Sequence, residues 1–426
     1  MTRKISVWTA SSIVVANMIG TGVFTSVGFQ LSAVQNTWSI LLLWLVGGIL
    51  ALFGAFAYAE LGTYFTSTGG DYIYLTRVFH PLPGFLSAWA GLTVGFSAPV
   101  ALAAIAFTRY LHPFGLQQQG WIAILVIVVI TVMHSLTIKH SSRLQNFSTI
   151  IKVLFIMALI VIGVMSDHTG QNALDYSAGW KKELASPGYA VSMVFVAYAY
   201  TGWNAAAYIV DEIDNPVKNL PRALIRSALF VTVLYILFNW VLLMLAPADA
   251  LKGREEVSYI AFSHLLGEDG GKWVSFFIAI QLIATISSYL WVGPRVTMAM
   301  AKDHFLWKPL SKVNRHGIPV KALWIHAGIS ILLSLTGSFE KVLLYAGFVL
   351  QLMTSLTVAA SLFISNKEPG SFTTPWKPIP QLIFLAFNAW VLIFTLKDKT
   401  FESVAGLVIL AIGALIYYFG KRKAPN

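Results

Sequence analysis

The sequence predicts an all-α polytopic membrane protein with twelve transmembrane helices, and three observations carry that reading. Of 426 residues, 57% are hydrophobic and 11% are charged, far less charge than a soluble chain of this length exposes. The apolar residues gather in runs that repeatedly approach the ~20 residues needed to cross a bilayer as a helix. Two of those runs are interrupted by glycine near their middles, at Gly20-Thr21-Gly22 and around Gly202.

In chain order the runs lie near 7–31, 38–65, 83–110, 121–138, 146–166 and 188–212, then near 220–246, 272–301, 320–336, 340–364, 379–396 and 402–420. Trp38, Trp89, Trp121, Trp273, Trp307, Trp324 and Trp390 lie in or beside them, several near ends where interfacial aromatics belong. The longest polar stretches, Asp167 to Pro187 and Pro247 to Lys272, are each about one span long, so no soluble domain is expected. The amino terminus, "MTRK", leads straight into the first helix with no cleavable signal expected. There is no cysteine, which excludes a disulfide-linked partner.

The net charge of +11 reports topology. Of the 29 lysines and arginines, nine (Arg109, Lys181, Lys182, Lys252, Arg254, Lys272, Lys341, Lys397 and Lys399) fall on one side. Lys152 sits inside a run. The other nineteen, from Arg3 and Lys4 through Lys139 and Lys367 to Lys421-Arg422-Lys423, share the side of the termini. The positive-inside rule therefore puts both termini in the cytoplasm, with the chain in a cell (inner) membrane. The loops are short and the charge is scattered, so no nucleic-acid partner is expected.

The two interruptions are the candidate site. Glycine and β-branched residues such as Thr21 and Val23 are poor helix formers. A helix broken at mid-membrane gains a new amino end whose N–H groups can hold a carboxylate. The half-helix before the break ends in free carbonyls that can accept from an ammonium group. Such backbone is tolerable at this depth only where protein or a water-filled cavity satisfies it. Close helix packing is the plainer reading of a lone Gly-x-Gly. A matching break in the sixth helix, five helices later and beside Asn204, favours a substrate site built on inverted repeats.

These residues resemble the amino acid–polyamine–organocation superfamily, most closely amino-acid permeases of the L-type light-subunit branch. Four segments carry the resemblance in order: "MIGTGVF" at the first break, "AELGTYFTSTGGDYIYL" (Ala59 to Leu75), "YAYTGWNAAAYIVDEIDNPVKNLPRAL" (Tyr198 to Leu224) and "GPRVTMAMAKDHFLWKPL" (Gly293 to Leu310). The resemblance implies a LeuT-like fold of five-plus-five inverted helices, with repeats over 1–166 and 188–364 and two further helices over 379–420. It implies transport of α-amino acids by alternating access. The substrate carboxylate would meet Thr21, Gly22 and Val23. The ammonium would meet carbonyls of Met18, Ile19, Tyr198, Ala199 and Thr201. Tyr198 would gate the site, and Asn204 would contact ligand or hold the sixth helix. Ser97 and Pro99 are candidates for shaping the side-chain pocket.

Lys152, in "NFSTIIKVLF", is a charge inside an apolar helix and costs about 2.5 kcal/mol or more at the bilayer centre unless it faces a polar site. Snorkelling toward Arg143 is one reading. The resemblance implies another: the ammonium stands where a sodium ion would bind, against carbonyls of Ala16 and Ile19 and hydroxyls of Ser287 and Ser288. Sodium coupling is then not expected. Exchange, uniport and proton symport all stay open. Glu60 is expected to be structural or to act in inner gating. Asp211, Glu212 and Asp214 read as an ion-paired loop with Lys218 and Arg222, ahead of a gate latch.

No acidic side chain is evident at the predicted site, so small to medium neutral amino acids are the expected substrates. His134, His264, His304 and His326 are not spaced as a metal cluster, and no Walker loop, HExxH motif or Ser-His-Asp order appears. No cofactor or metal is therefore expected. The competing readings are a polyamine or other organic-cation permease of the same fold, a membrane enzyme and a channel. The oligomeric state stays open.

Overall fold

Inside a bilayer the main chain must bond to itself, and helices satisfy that segment by segment. The computed structural model describes residues 4–116, 119–136, 142–166, 179–336, 338–364 and 371–422. Among these residues the elements are helices and turns, with one isolated bridge between Ile5 and Ile213. Of the basic residues counted toward topology, Arg3, Lys139, Lys367 and Lys423 lie outside the described residues, as do 167–178 of the polar stretch ending at Pro187.

The order is α1 (Val7–Met18), α2 (Gly22–Gln30), α3 (Thr37–Tyr64), α4 (Asp71–Val78) and α5 (Pro81–Ala90), then a π-turn over Gly91–Gly95 and α6 (Ser97–Tyr110). There follow α7 (Gln119–Leu136), α8 (Ser142–Val164), α9 (Trp180–Leu184), α10 (Pro187–Ala199), a 3-10 stretch over Ala205–Glu212 and α11 (Pro216–Leu245). The chain ends with α12 (Ala248–Leu251), α13 (Val257–Asp303), α14 (Val320–Leu335), α15 (Phe339–Phe363), α16 (Ile379–Asp398) and α17 (Thr400–Arg422). Eight stretches among the described residues are long and apolar enough to cross a membrane. Four shorter apolar helices, Gly120–Leu136, Thr149–Val164, Pro187–Ala199 and Val320–Leu335, lie between them in the chain. The chain is a multi-pass membrane protein.

Three features of the runs stand out against expectation. The seventh run begins at Pro216, because proline at the first helical position costs no hydrogen bond. The eighth begins at Val257 and bends at Gly267, whose φ of +72° turns the chain inside a stretch read as polar loop. The third contains the π-turn between Gly91 and Gly95, invisible to hydropathy.

The core lies where α3, α10 and α11 meet. α3 approaches its neighbours through small residues. A side-chain carbon at Gly48 would collide with Thr232 of α11, and one at Gly47 with Val196 of α10. Above this contact Trp44, Tyr200 and Tyr235 pack ring against ring, with Tyr200 hydroxyl donating to the Trp44 carbonyl at 2.9 Å.

At one end of the bundle the segment before α13 seals against α2. Gly253 N–H donates to the Gly28 carbonyl at 2.8 Å, and Glu255 pairs with Arg109 of α6 at 3.4 Å. Tyr110 hydroxyl donates to the Phe24 carbonyl at 2.7 Å. At the other end Ile5 pairs through its main chain with Glu212 and Asp214, at 2.8 and 2.9 Å.

Gly48→Val is expected to lower stability by about 1–3 kcal/mol through overpacking against Thr232. Thermal unfolding of the purified protein in detergent checks this, with Ile49→Val, at an exposed position of the same helix, as the neutral comparison.

Candidate functional site

Both predicted interruptions are present. α1 ends where Ile19, at ψ +85°, leaves the helical path. Gly20 N–H turns back to the Met18 carbonyl at 2.8 Å, and α2 begins at Gly22. The first N–H groups of a helix have no carbonyl one turn back, so those of Gly22 and Val23 point out of its end unpaired within the helix. In the sixth run α10 ends at Ala199. Gly202, at φ +98°, reverses the chain in a conformation that favours glycine.

The two breaks touch. A side-chain carbon on Gly22 would collide with Ala199, standing 2.6 Å from its Cβ. One on Gly202 would stand 2.7 Å from the Asn17 carbonyl carbon. Gly20 has room, with the nearest side-chain atom, Thr285 Cγ2, at 3.7 Å. The glycine at position 22 therefore answers first to contact between the breaks. That is the close-packing reading of this Gly-x-Gly, beside the approach of a carboxylate that the resemblance implies.

Side chains from three other helices finish the loose main chain. The Tyr235 hydroxyl of α11 lies 2.5 Å from the Met18 carbonyl and 3.2 Å from the Ala199 carbonyl, so its one proton is shared between the two breaks. Tyr289 of α13 donates to the Asn17 carbonyl at 3.4 Å. Lys152 of α8 donates to the Ile19 carbonyl at 3.2 Å and the Thr285 hydroxyl at 3.0 Å. Tyr198 hydroxyl lies 3.3 Å from Thr21 Oγ1.

Several of the expected groups are already engaged within the protein. The Met18 carbonyl already accepts from Tyr235 and Gly20, and the Tyr198 carbonyl from the N–H and hydroxyl of Thr201, at 3.0 and 2.7 Å. Both lone pairs of each are used. Ile19 and Ala199 carbonyls each retain one acceptor position. Thr201 stands beside them on the cavity wall.

Around Lys152, Thr285 replaces the expected Ser287 and Ser288. Helical residues advance 100° each, so Ser287 faces away and pairs with His134 at 2.8 Å, while Ser288 turns into a larger cavity. Ala16 is buried but is not a partner of Lys152 among the described contacts, because Ile19 carries the carbonyl that the break swings outward.

Ser97 does not line the pocket. It is buried, donating to the Leu92 carbonyl at 2.7 Å and bonded to His326 at 3.0 Å, with Thr297 on the other ring nitrogen at 2.9 Å. Its neighbours Gly91, Gly95 and Phe96 reach the cavity instead, because the π-turn shifts the register of that face.

Between the breaks the hollow is small, about 10 Å³, lined by residues including Gly20, Thr21, Gly22, Tyr198 and Thr201. That is room for about one water molecule. A cavity of about 320 Å³ begins at Asn17, Thr201 and Tyr289 and runs to Ile5 and Glu212. Its volume falls in the range of small-molecule sites.

Among the described residues two acids line that cavity, Asp71 and Glu212, and no lysine or arginine does. Asp71 is the functional candidate that sequence reasoning missed. Asp71 Oδ2 accepts from Tyr208 at 2.7 Å, and Tyr208 oxygen accepts from Asn204 at 3.4 Å. The residue was visible within "STGGDYIYL", but only the folded chain brings that turn to the sixth helix.

Glu60 and the acids after the break in the sixth helix make other contacts. Glu60 is buried, bonded to Lys377 and Thr374 at 2.7 Å each. Asp211 accepts from Thr68, and neither it, Glu212 nor Asp214 forms an ion pair with Lys218 or Arg222 among the described residues. In place of the expected ion pairs the loop pairs through its main chain, with Ile5 bonded to Glu212 and Asp214 on either side of the extended Ile213.

The model of a family described as amino acid permease matches residues 5–419. The chain is 29% identical to the cystine/glutamate transporter of Homo sapiens, covering 98% of this chain and 85% of that protein. It is 27% identical to the large neutral amino acids transporter small subunit 2 of Mus musculus, covering 98% and 81%. It is also 27% identical to the b(0,+)-type amino acid transporter 1 of Homo sapiens, covering 98% and 87%.

Gly22→Ala is expected to cost about 1–3 kcal/mol because Ala199 must move, whereas Gly20→Ala should change stability by less than about 1 kcal/mol. Thermal unfolding of the two variants side by side checks this. Equal effects would contradict the contact between breaks.

Proposed function

The chain belongs to the amino acid permease family, and from that premise we propose that it moves α-amino acids across the cytoplasmic membrane by alternating access, without sodium. The observation that carries this reading is the meeting of two broken helices, with the Lys152 ammonium against the Ile19 carbonyl and Thr285. A fixed cation there occupies the place where a coupling sodium ion would need oxygen ligands.

The twelve-helix reading divides the chain into inverted repeats over 1–166 and 188–364 and two added helices over 379–420. Both termini are cytoplasmic, so the cavity mouth at Ile5 and Glu212 opens inward. The substrate carboxylate meets the N–H groups at Thr21, Gly22 and Val23. Its ammonium meets the acceptors left at Ile19, Ala199 and Thr201. Tyr198 closes over it. Because the hollow between the breaks holds about one water, binding must part α2 from α10.

The groups around the breaks are neutral apart from Lys152, which supports a small to medium neutral amino acid. The mechanism is exchange or proton symport, and no step makes or breaks a covalent bond. A second reading, an organic-cation permease, draws support from Asp71 and Glu212 on the cavity wall.

Proteoliposomes test the proposal. Labelled alanine, serine or leucine should show counterflow, unchanged when sodium is replaced by potassium. Lys152→Ala should slow it by about 5- to 150-fold, since about 1–3 kcal/mol of hydrogen bonding at the break is lost. Sodium-dependent uptake would overturn the coupling. Uptake of putrescine with none of any amino acid would establish the second reading.

A further inference from the structure

We propose that Asp71 is a proton-binding site of the transport cycle: its carboxyl exchanges a proton with the cavity, and Tyr208 and Asn204 pass its charge state to the break in the sixth helix. The proposal rests on the transport reading above and adds the group that would couple or tune it.

Asp71 stands at the start of α4, between the second and third membrane runs, on the wall of the 320 Å³ cavity. One carboxylate oxygen accepts from Tyr208 at 2.7 Å. The other, Oδ1, is covered and receives no hydrogen bond of full geometry among the described residues, although the Tyr58 and Thr357 hydroxyls face the carboxyl. No lysine, arginine or histidine forms an ion pair with it among the described residues. The titratable groups that face it are Tyr58 of α3, Tyr74 of α4 itself and Tyr208 of the 3-10 stretch, and Thr357 of α15 adds a hydroxyl. A covered carboxylate without a cation leaves its charge uncompensated. A proton on Oδ1 removes that charge and creates a donor for Tyr58. Burial pushes the Asp71 carboxyl up from its ordinary value, while the Tyr58, Tyr208 and Thr357 hydroxyls pull it down.

The connection to the break is short. Gly69 N–H donates to the Tyr208 carbonyl at 3.3 Å, so the Gly69–Asp71 turn grips Tyr208 at both its main chain and its hydroxyl. Gly70, at φ +53°, lies flat against the Tyr208 ring, where a side-chain carbon would collide. Tyr208 oxygen in turn receives Asn204, two residues past Gly202. When Asp71 is ionised, the Tyr208 bond is charge-assisted and holds the 3-10 stretch to the turn. Protonation makes it a weaker neutral bond and loosens that grip. The proton comes from water in the cavity and returns to water, and no other group changes oxidation or bonding state.

Binding of labelled L-serine to the purified full chain, measured from pH 5 to 8.5, tests this. The wild type should change its half-saturating concentration by up to about tenfold per pH unit on the steep part of the curve. Asp71→Asn should flatten the profile. Tyr208→Phe should move the midpoint to higher pH, because a bond favouring the charged form is gone. Glu268→Gln, at an exposed carboxylate of α13 away from the cavity, should leave the midpoint in place. A flat wild-type profile, an unchanged profile in Asp71→Asn, or a midpoint moved to lower pH in Tyr208→Phe would overturn the proposal. If Asp71→Asn keeps the profile but loses competition by lysine or arginine, the carboxylate instead holds a cationic side chain and the proton site falls. A wild-type chain that binds no amino acid at any pH would refute the transport reading itself, and this proposal with it.

Discussion

Unpaired main-chain groups in the middle of a bilayer organise this molecule. Breaking α1 from α2 and α10 from the stretch after it leaves carbonyls at Asn17, Met18, Ile19 and Ala199 without a helical partner. Each unmet group would cost several kcal/mol in hydrocarbon. The surrounding helices supply donors one by one: Tyr235 from α11, Tyr289 from α13 and Lys152 from α8. Much of the tertiary arrangement follows from delivering those three side chains to one place. The glycines of α3 let α10 and α11 approach closely enough for Tyr235 to reach both breaks at once.

The same donors bear on function. A carbonyl held by a tyrosine hydroxyl or a lysine ammonium keeps its position while retaining a second acceptor site, as at Ile19 and Ala199. Two bonds to one carbonyl, as at Met18 and Tyr198, remove it from competition. The ligand would therefore find a smaller and better-defined set of acceptors than broken helices alone suggest. The close contact of Gly22 with Ala199 makes the breaks a single hinge, so parting them to admit a ligand would move α2 and α10 together.

Much of this was legible in the residues. Hydropathy located the helical runs, and the glycines at 20, 22 and 202 marked both breaks, because helix propensity is a local property. Lys152 stood out because a charge in an apolar run needs a partner. What was not legible depended on rotation and on distant packing. Thr285 in place of Ser287 and Ser288 is a matter of about 200–300° around one helix. The burial of Ser97 followed from a π-turn that leaves no mark on hydropathy. Asp71 was quoted within its motif but could not be assigned to the cavity, since only the Tyr208 contact brings it there. The ion pairs expected at Asp211 to Arg222 gave way to main-chain pairing with Ile5, a residue more than two hundred positions away.

The account centres on a ligand held by main-chain groups of both breaks. A structure of the protein saturated with L-serine tests it most directly. The ligand should lie between Gly20–Gly22 and Tyr198–Thr201, its carboxylate on the N–H groups that open α2 and its ammonium toward the Ile19 and Ala199 carbonyls. Serine bound only in the larger cavity near Asp71 and Glu212, with Gly22 still packed on Ala199, would contradict the account.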